Sequence, residues 1–274
     1  METTHALVTG ASAGIGAAFA RELASRGRAL VLTARRGDRL DALADDLRTR
    51  HDIDVQCIPC DLADPDAPRF LHEQIRQRGL HVDTLVNNAG YGVPGSFVSR
   101  PWQTHADFIQ VLMTAPAELC HRLLPDMRAR RSGRIVNVAS LAGMIPAPAG
   151  HTLYAASKAY LIRFSQALAL ENRPHGVRVC ALCPGFTYSE FHDVTGTREE
   201  MRRLPRWMWM DAEPVVREAL AAVERGDVVH VSGRVNRLIK GLLKILPDRL
   251  ALRLVERSGK DFRDSADAPA ETSP

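Results

Sequence analysis

Apolar and polar positions come in alternating blocks along this chain. A short apolar run, Ala6-Leu7-Val8, leads through a glycine-bearing stretch into Ala17-Ala18-Phe19-Ala20-Arg21-Glu22-Leu23-Ala24, whose spacing predicts a helix. The alternation then repeats. Strands are predicted over residues 28–33, 55–60, 82–86, 133–138, 177–183 and 228–231, and helices over 39–50, 65–78, 103–131, 153–172 and 213–224. The helix at 39–50 gathers Leu40, Leu43 and Leu47 on one face, and the long one carries Pro116 and Pro125 as candidate kinks. Strand and helix in turn, with short breaks, predict an α/β fold: a doubly wound, mostly parallel sheet with helices on both faces.

Past residue 231 the pattern changes. Val235, Leu238, Ile239, Leu242, Leu243 and Leu246 keep helical spacing, while residues 234–260 hold eight Lys/Arg against two acids. Such a basic amphipathic helix docks on its own domain or on a partner subunit, or lies on an anionic membrane surface. Residues 261–274 are polar and Pro-containing, which predicts disorder.

Composition narrows the function classes. A length of 274 residues suits one α/β domain with a full core, and 45% hydrophobic with 25% charged residues is ordinary. The formal charge of +4 is too small to argue for nucleic acid. Met1-Glu2-Thr3-Thr4-His5 lacks the features of an export signal, and no apolar run reaches the ~18 residues of a spanning helix, so a cytoplasmic protein is expected. Five cysteines include two C-x-x-C pairs, Cys57/Cys60 and Cys180/Cys183. Both fall in predicted strands, where positions i and i+3 face opposite ways, so core thiols are expected rather than a metal site.

Chemistry begins at Thr9-Gly10-Ala11-Ser12-Ala13-Gly14-Ile15-Gly16, between the first strand and the first helix. Gly10 permits a sharp turn, Gly14 lets backbone approach a pyrophosphate, and Gly16 lets the helix pack closely on the strand. The helix N-terminus then faces the anion, with Ser12 and Ile15 in the same loop. Gly10-Ala11-Ser12-Ala13-Gly14 also fits the G-x-S-x-G nucleophile elbow, but that elbow needs several strands before it and here one precedes. Arg35 and Arg36 follow the second strand, where an acid would select the 2′-hydroxyl of NAD and arginine accommodates a 2′-phosphate; the expected cofactor is NADP(H). Asp61, beside Leu62 after the third strand, either accepts from the adenine amino group or caps the next turn. Asn88, Ala89 and Gly90 are small enough, or polar enough, to let backbone pass beneath a cofactor. On the helix at 153–172, Tyr154 and Lys158 share a face at i and i+4. An ammonium beside a phenol lowers its pKa toward the working pH, making Tyr154 a candidate general acid, with Ser140 placed to hold the same carbonyl oxygen.

In order, T-G-x-x-x-G-x-G (Thr9 to Gly16), N-N-A-G (Asn87 to Gly90), Ser140, Y-x-x-x-K (Tyr154 to Lys158) and P-G (Pro184-Gly185) make the sequence resemble the short-chain dehydrogenase/reductase family. The resemblance runs from about Ala6 to Ser232. It implies a seven-stranded sheet and hydride transfer between a nicotinamide and a carbonyl or alcohol. It also implies Tyr154 as acid/base, Ser140 as carbonyl positioner and Lys158 on the nicotinamide ribose. Pro184, Gly185, Thr187 and Ser189 would meet the carboxamide, and members are commonly homodimers or homotetramers. Two departures stand out. Leu112 occupies the position of an Asn that, in the family, holds a proton-feeding water, and the interval from Ser140 to Tyr154 is about one residue long.

The expected organisation is a catalytic, dinucleotide-binding unit over 1–232 with a substrate lid at 187–210, an amphipathic extension at 233–260 and a tail at 261–274. Leu204-Pro205-Arg206-Trp207-Met208-Trp209-Met210 suits a broad apolar pocket in that lid, or simply the lid's own core. The expected activity is NADPH-dependent reduction of a lipophilic or acyl-like ketone or aldehyde; the acyl-like part rests on analogy with bacterial members. Two alternatives are a secondary-alcohol dehydrogenase and a non-catalytic NADPH-binding regulator.

Overall fold

The computed structural model describes residues 3–93, 95–147, 149–150, 152–188, 205–245, 247 and 249–253. The chain runs β1 (Thr4–Thr9), α1 (Gly14–Ser25), β2 (Ala29–Thr33), α2 (Gly37–His51), β3 (Val55–Cys57), α3 (Ala67–Gln77) and β4 (His81–Asn87). It continues through α4 (Trp102–Ile109), α5 (Ala115–Ala129), β5 (Gly133–Val138), α6 (Thr152–Asn172) and β6 (Val177–Cys183). The short strands β7 (Phe186–Thr187) and β8 (Trp209–Met210), then α7 (Ala212–Arg225), β9 (Val229–Val231) and α8 (Arg234–Ile245), complete it.

Seven strands form one sheet in the order β3-β2-β1-β4-β5-β6-β9, every pairing parallel. Alternation along each strand divides the core into two layers. Ala6, Val8, Leu30 and Leu32 meet Phe19 of α1, Leu40 of α2 and Val216 of α7, whereas Leu7, Val31, Leu85 and Ile135 meet Leu71 of α3, Leu123 of α5 and Leu168 of α6. Covered on both faces, the strands read as apolar runs rather than as alternating patterns. The chain moves outward from β1 to β3 and then crosses over to β4, so strand order reverses between β1 and β4. Ligands of open α/β sheets bind in the crevice at that point, beyond the strands' carboxyl ends.

Several elements differ from expectation. β3 stops at Cys57, leaving Cys60 beyond the strand with its sulfur 3.2 Å from Thr33 Oγ1. The opposite-face argument therefore holds for Cys180/Cys183 in β6 and not for Cys57/Cys60. The long helix at 103–131 is two helices joined by a π-turn, Gln110–Thr114. Pro116 follows directly; its missing N–H would orphan the Leu112 carbonyl in a regular helix, and the wider turn relieves that mismatch. β7 and β8 pair as a separate parallel ribbon, absent from the expected strands. Most of the expected lid, including Ser189, lies outside the described residues, as does the tail. The extension is helical over Arg234–Ile245 and again at 249–253. Among the described residues no helix is long and apolar enough to cross a membrane.

Candidate active site

The glycine loop is locked by backbone contact. Gly10 and Gly14 adopt φ of +65° and +54°, a region that L side chains rarely enter. A Cβ on Gly10 would stand 2.8 Å from Ala89 Cα, and one on Gly16 would collide with Gly10 O and the Asn88 amide. Gly16 thus packs α1 on its own loop and on the end of β4, rather than on β1. Asn88 ties the two strand ends together: its Nδ2 donates to Thr9 O (2.9 Å) and Gly10 O (3.2 Å), while Thr9 Oγ1 accepts from Asn88 and Ala89 N–H at 3.0 Å each. Ala13, at the start of α1, offers no side-chain cap to the first-turn N–H groups. This cradle, closed to any Cβ and uncapped, fits a pyrophosphate.

At the β2 end, Arg36 donates to Ser12 Oγ through Nη2 (3.1 Å) and Nε (3.3 Å), so its guanidinium lies against the loop. Arg35 is exposed, and both it and Asp61 act electrostatically on the Tyr91 hydroxyl. Asp61 Oδ1 accepts from Ala63 N–H at 3.0 Å, the turn-capping option. The Leu62 side chain is core, buried with Phe108, Val111 and Leu112.

Ser140 follows β5 and caps a 3-10 turn, Leu141–Met144, its Oγ accepting from Ala142 N–H at 3.1 Å. Gly143 lets this turn press on α6: a Cβ there would be 2.5 Å from Lys158 C and 2.6 Å from Ala159 N. The contact brings the Ser140 hydroxyl close enough to Tyr154 to favour its ionised form. Lys158 is buried, and its Nζ donates to Val138 O at 2.8 Å while standing 5.6 Å from the Tyr154 ring centroid.

The expected lowering of the Tyr154 pKa is reversed. Burial raises it, with the Ser140 hydroxyl working the other way. Lys158 sits over the ring rather than at the hydroxyl, and burial lowers its own pKa to about 8. The i, i+4 spacing brings the two side chains together, but desolvation decides their protonation. Leu112 is fully buried, placed under Gly90 in an apolar cluster against which Tyr154 packs.

Pro184 O accepts from Leu141 N–H at 2.8 Å, fastening the segment after β6 to the Ser140 turn. Thr187 is buried, its hydroxyl donating to Gly185 O at 3.1 Å. A small cleft opens on Tyr154. Val93, Phe97, His105, Phe108 and Leu153 line it. Among the described residues the lining comes from the segment after β4, from α4 and from the start of α6. Trp209 stacks on Tyr188 (4.8 Å between centroids), and Met210 sits against Gly233 and Asn236.

Comparison with known proteins agrees with this geometry. The family model described as short chain dehydrogenase matches residues 4–200. The chain belongs to the short-chain dehydrogenase family. It is an oxidoreductase that uses a nicotinamide cofactor on CH–OH or C=O groups. It is 30% identical over 265 residues to a very-long-chain 3-oxoacyl-CoA reductase of Anas platyrhynchos, covering 94% of this chain and 80% of that one. The structure of a short-chain dehydrogenase from Sphingobium yanoikuyae in complex with NADPH superimposes with a TM-score of 0.78 at 31% identity, covering 89% and 96% of the two chains. A bulky-bulky ketone specific alcohol dehydrogenase from Comamonas testosteroni gives 0.73 at 30% identity, covering 90% and 96%.

Sequence reading missed three features of this short-chain dehydrogenase. Val138 O, as the acceptor for Lys158, is a backbone group and leaves no trace in residue type. Gly143 was legible only as one glycine in a loop. His105 is buried, stacked on Phe97 (4.6 Å) with its Nε2 donating to Phe97 O at 2.8 Å, and its Nδ1 has no hydrogen-bond partner among the described residues. Nothing in the local pattern separates it from a surface histidine.

Proposed function

We propose that this enzyme is an NADPH-dependent reductase of ketones or aldehydes bearing large apolar groups. The observation that carries the reading is the placement of Tyr154 beside Ser140, with Lys158 fixed over its ring and a cleft opening on it. When bound, the cofactor supplies hydride to the carbonyl carbon. The loop from Gly10 to Gly16, with Asn88, Ala89 and Gly90 across the crevice, holds its pyrophosphate side. Arg36 against the loop and Arg35 beside it hold a 2′-phosphate, with no acid before Asp38 to favour NAD. Pro184, Gly185 and Thr187 flank the nicotinamide end. Asp61 and Leu62 close the adenine side.

Tyr154 Oη donates its proton to the carbonyl oxygen as negative charge develops there, and Ser140 Oγ hydrogen-bonds the same oxygen. Lys158, fixed by Val138 O, offsets charge left on the phenolate. Tyr154 is protonated at neutral pH, since burial raises its pKa further above the ordinary phenol value, so it is available as the proton donor. Ser140 and Lys158 both converge on Tyr154, which argues against a purely regulatory NADPH-binding role that needs only the loop and the arginines. Val93, Phe97, Phe108 and Leu153 are the apolar side chains beside Tyr154 that a large apolar group would meet. Tyr154→Phe tests the reading against a ketone series of rising chain length. Turnover should fall by about a thousandfold with NADPH affinity unchanged; wild-type protein that binds NADPH tightly yet turns over no ketone would refute it.

A further inference from the structure

Helix α8 is held by one face and displays another. On the held face, the Asn236 Nδ2 donates to Ser232 O at 2.8 Å and the side chain fills the space that a Cβ on Gly185 would need. Ile239 packs on the cluster of Leu141, Leu161 and Met144, directly after Ser140. Val235, Leu238 and Leu242 form a separate i, i+3, i+7 stripe, with Leu238 64% and Leu242 57% exposed. Arg234 and Arg237 are exposed on the same helix, and from Arg234 to Pro247 the sequence holds four Lys/Arg and no Asp or Glu. Leu250 and Leu252 continue the exposed apolar surface between Arg249 and Arg253. The β7–β8 ribbon touches α8 through Met210, whose sulfur lies 3.8 Å from Asn236 Nδ2, and it brings exposed Tyr188 and Trp207 to the same region.

We propose that the α8 stripe is a docking surface for an anionic lipid bilayer. Arg237 is paired with Glu218 (3.3 Å), but Arg234, Arg249 and Arg253 are also exposed beside the leucines, and leucines flanked by basic residues match the boundary between acyl chains and anionic headgroups. Aromatic side chains with a polar edge favour the same boundary. A second copy is the poorer occupant. A two-fold contact would set each copy's arginine-bearing stripe against its own image, placing like charges together in a desolvated interface. The docking stands independently of the reductase reading.

Flotation of the full chain with vesicles separates the outcomes without any turnover assay. Binding is expected to vesicles of mixed phosphatidylglycerol and phosphatidylcholine, not to phosphatidylcholine alone, and should weaken at least tenfold between about 0.1 M and about 0.5 M salt. Leu238→Glu/Leu242→Glu should lose that binding by more than about tenfold, with unchanged melting temperature, NADPH affinity and sedimentation coefficient. Absence of binding to the anionic vesicles, or equal binding by the variant, overturns the proposal. So does a fall in oligomeric mass in the variant, which would make the stripe a subunit interface.

Discussion

The cofactor side and the substrate side of this site are built by different means. Around Gly10, Gly16 and Asn88 the structure is backbone against backbone, with tolerances tighter than a methyl group. Around the cleft, side chains from the segment after β4, from α4 and from α6 meet across long sequence distances. The first arrangement excludes all residues but glycine at certain positions, so it marks the sequence. The second asks only for apolar bulk, which many residues supply, so it leaves little mark. Rigidity and legibility therefore go together, and specificity resides where the sequence says least.

Breaking the cofactor side should have the largest effect after loss of Tyr154. Gly16→Val forces a side chain into Gly10 O and Asn88; NADPH binding should be abolished and stability reduced by about 3 kcal/mol, measured by titration and thermal melting. Retained NADPH affinity would mean that the loop is looser than the contacts indicate. Next comes the catalytic lysine that joins the two sides. Lys158 has its pKa lowered to about 8, so the ammonium is present below that pH and lost above it. Reductive kcat/KM should then fall above pH ~8, approaching tenfold per unit. In Lys158→Arg, whose charge persists, any residual activity should lack that limb.

Arg36→Ala should weaken NADPH by about tenfold to a hundredfold while leaving NADH nearly unchanged, as read by the ratio of the two dissociation constants. The smallest effect belongs to the substrate side. Phe97→Ala should shift preference among ketones of different bulk by about tenfold or less, because removing part of an apolar wall changes discrimination only modestly. Comparable kcat/KM changes for every ketone would show instead that Phe97 acts through fold stability.

Much of the fold was legible. Strands covered on both faces wrote themselves as apolar runs, and the glycine loop, the N-N-A-G turn and the Tyr154/Lys158 pair fell where sheet and helix place them. What sequence reading mistook shares a cause. The end of β3, the π-turn before Pro116 and the β7–β8 ribbon all depend on which distant segment lies alongside, and local periodicity carries no such information. The Tyr154 pKa is the sharpest instance: spacing specified the neighbour, but burial outweighed it.

By itself the sequence determined the α/β class, the glycine loop, the arginines at the β2 end and the presence of Ser140, Tyr154 and Lys158 in one family pattern. Each is a local demand, either of steric room or of side-chain period, and local demands restrict residue type. Only the tertiary structure decided that Gly143 presses the Ser140 turn onto α6, that Val138 O holds Lys158, and that α8 leaves Leu238 and Leu242 exposed beside the site. Those outcomes depend on desolvation and on packing between segments far apart in the chain, quantities that exist only once the sheet has formed.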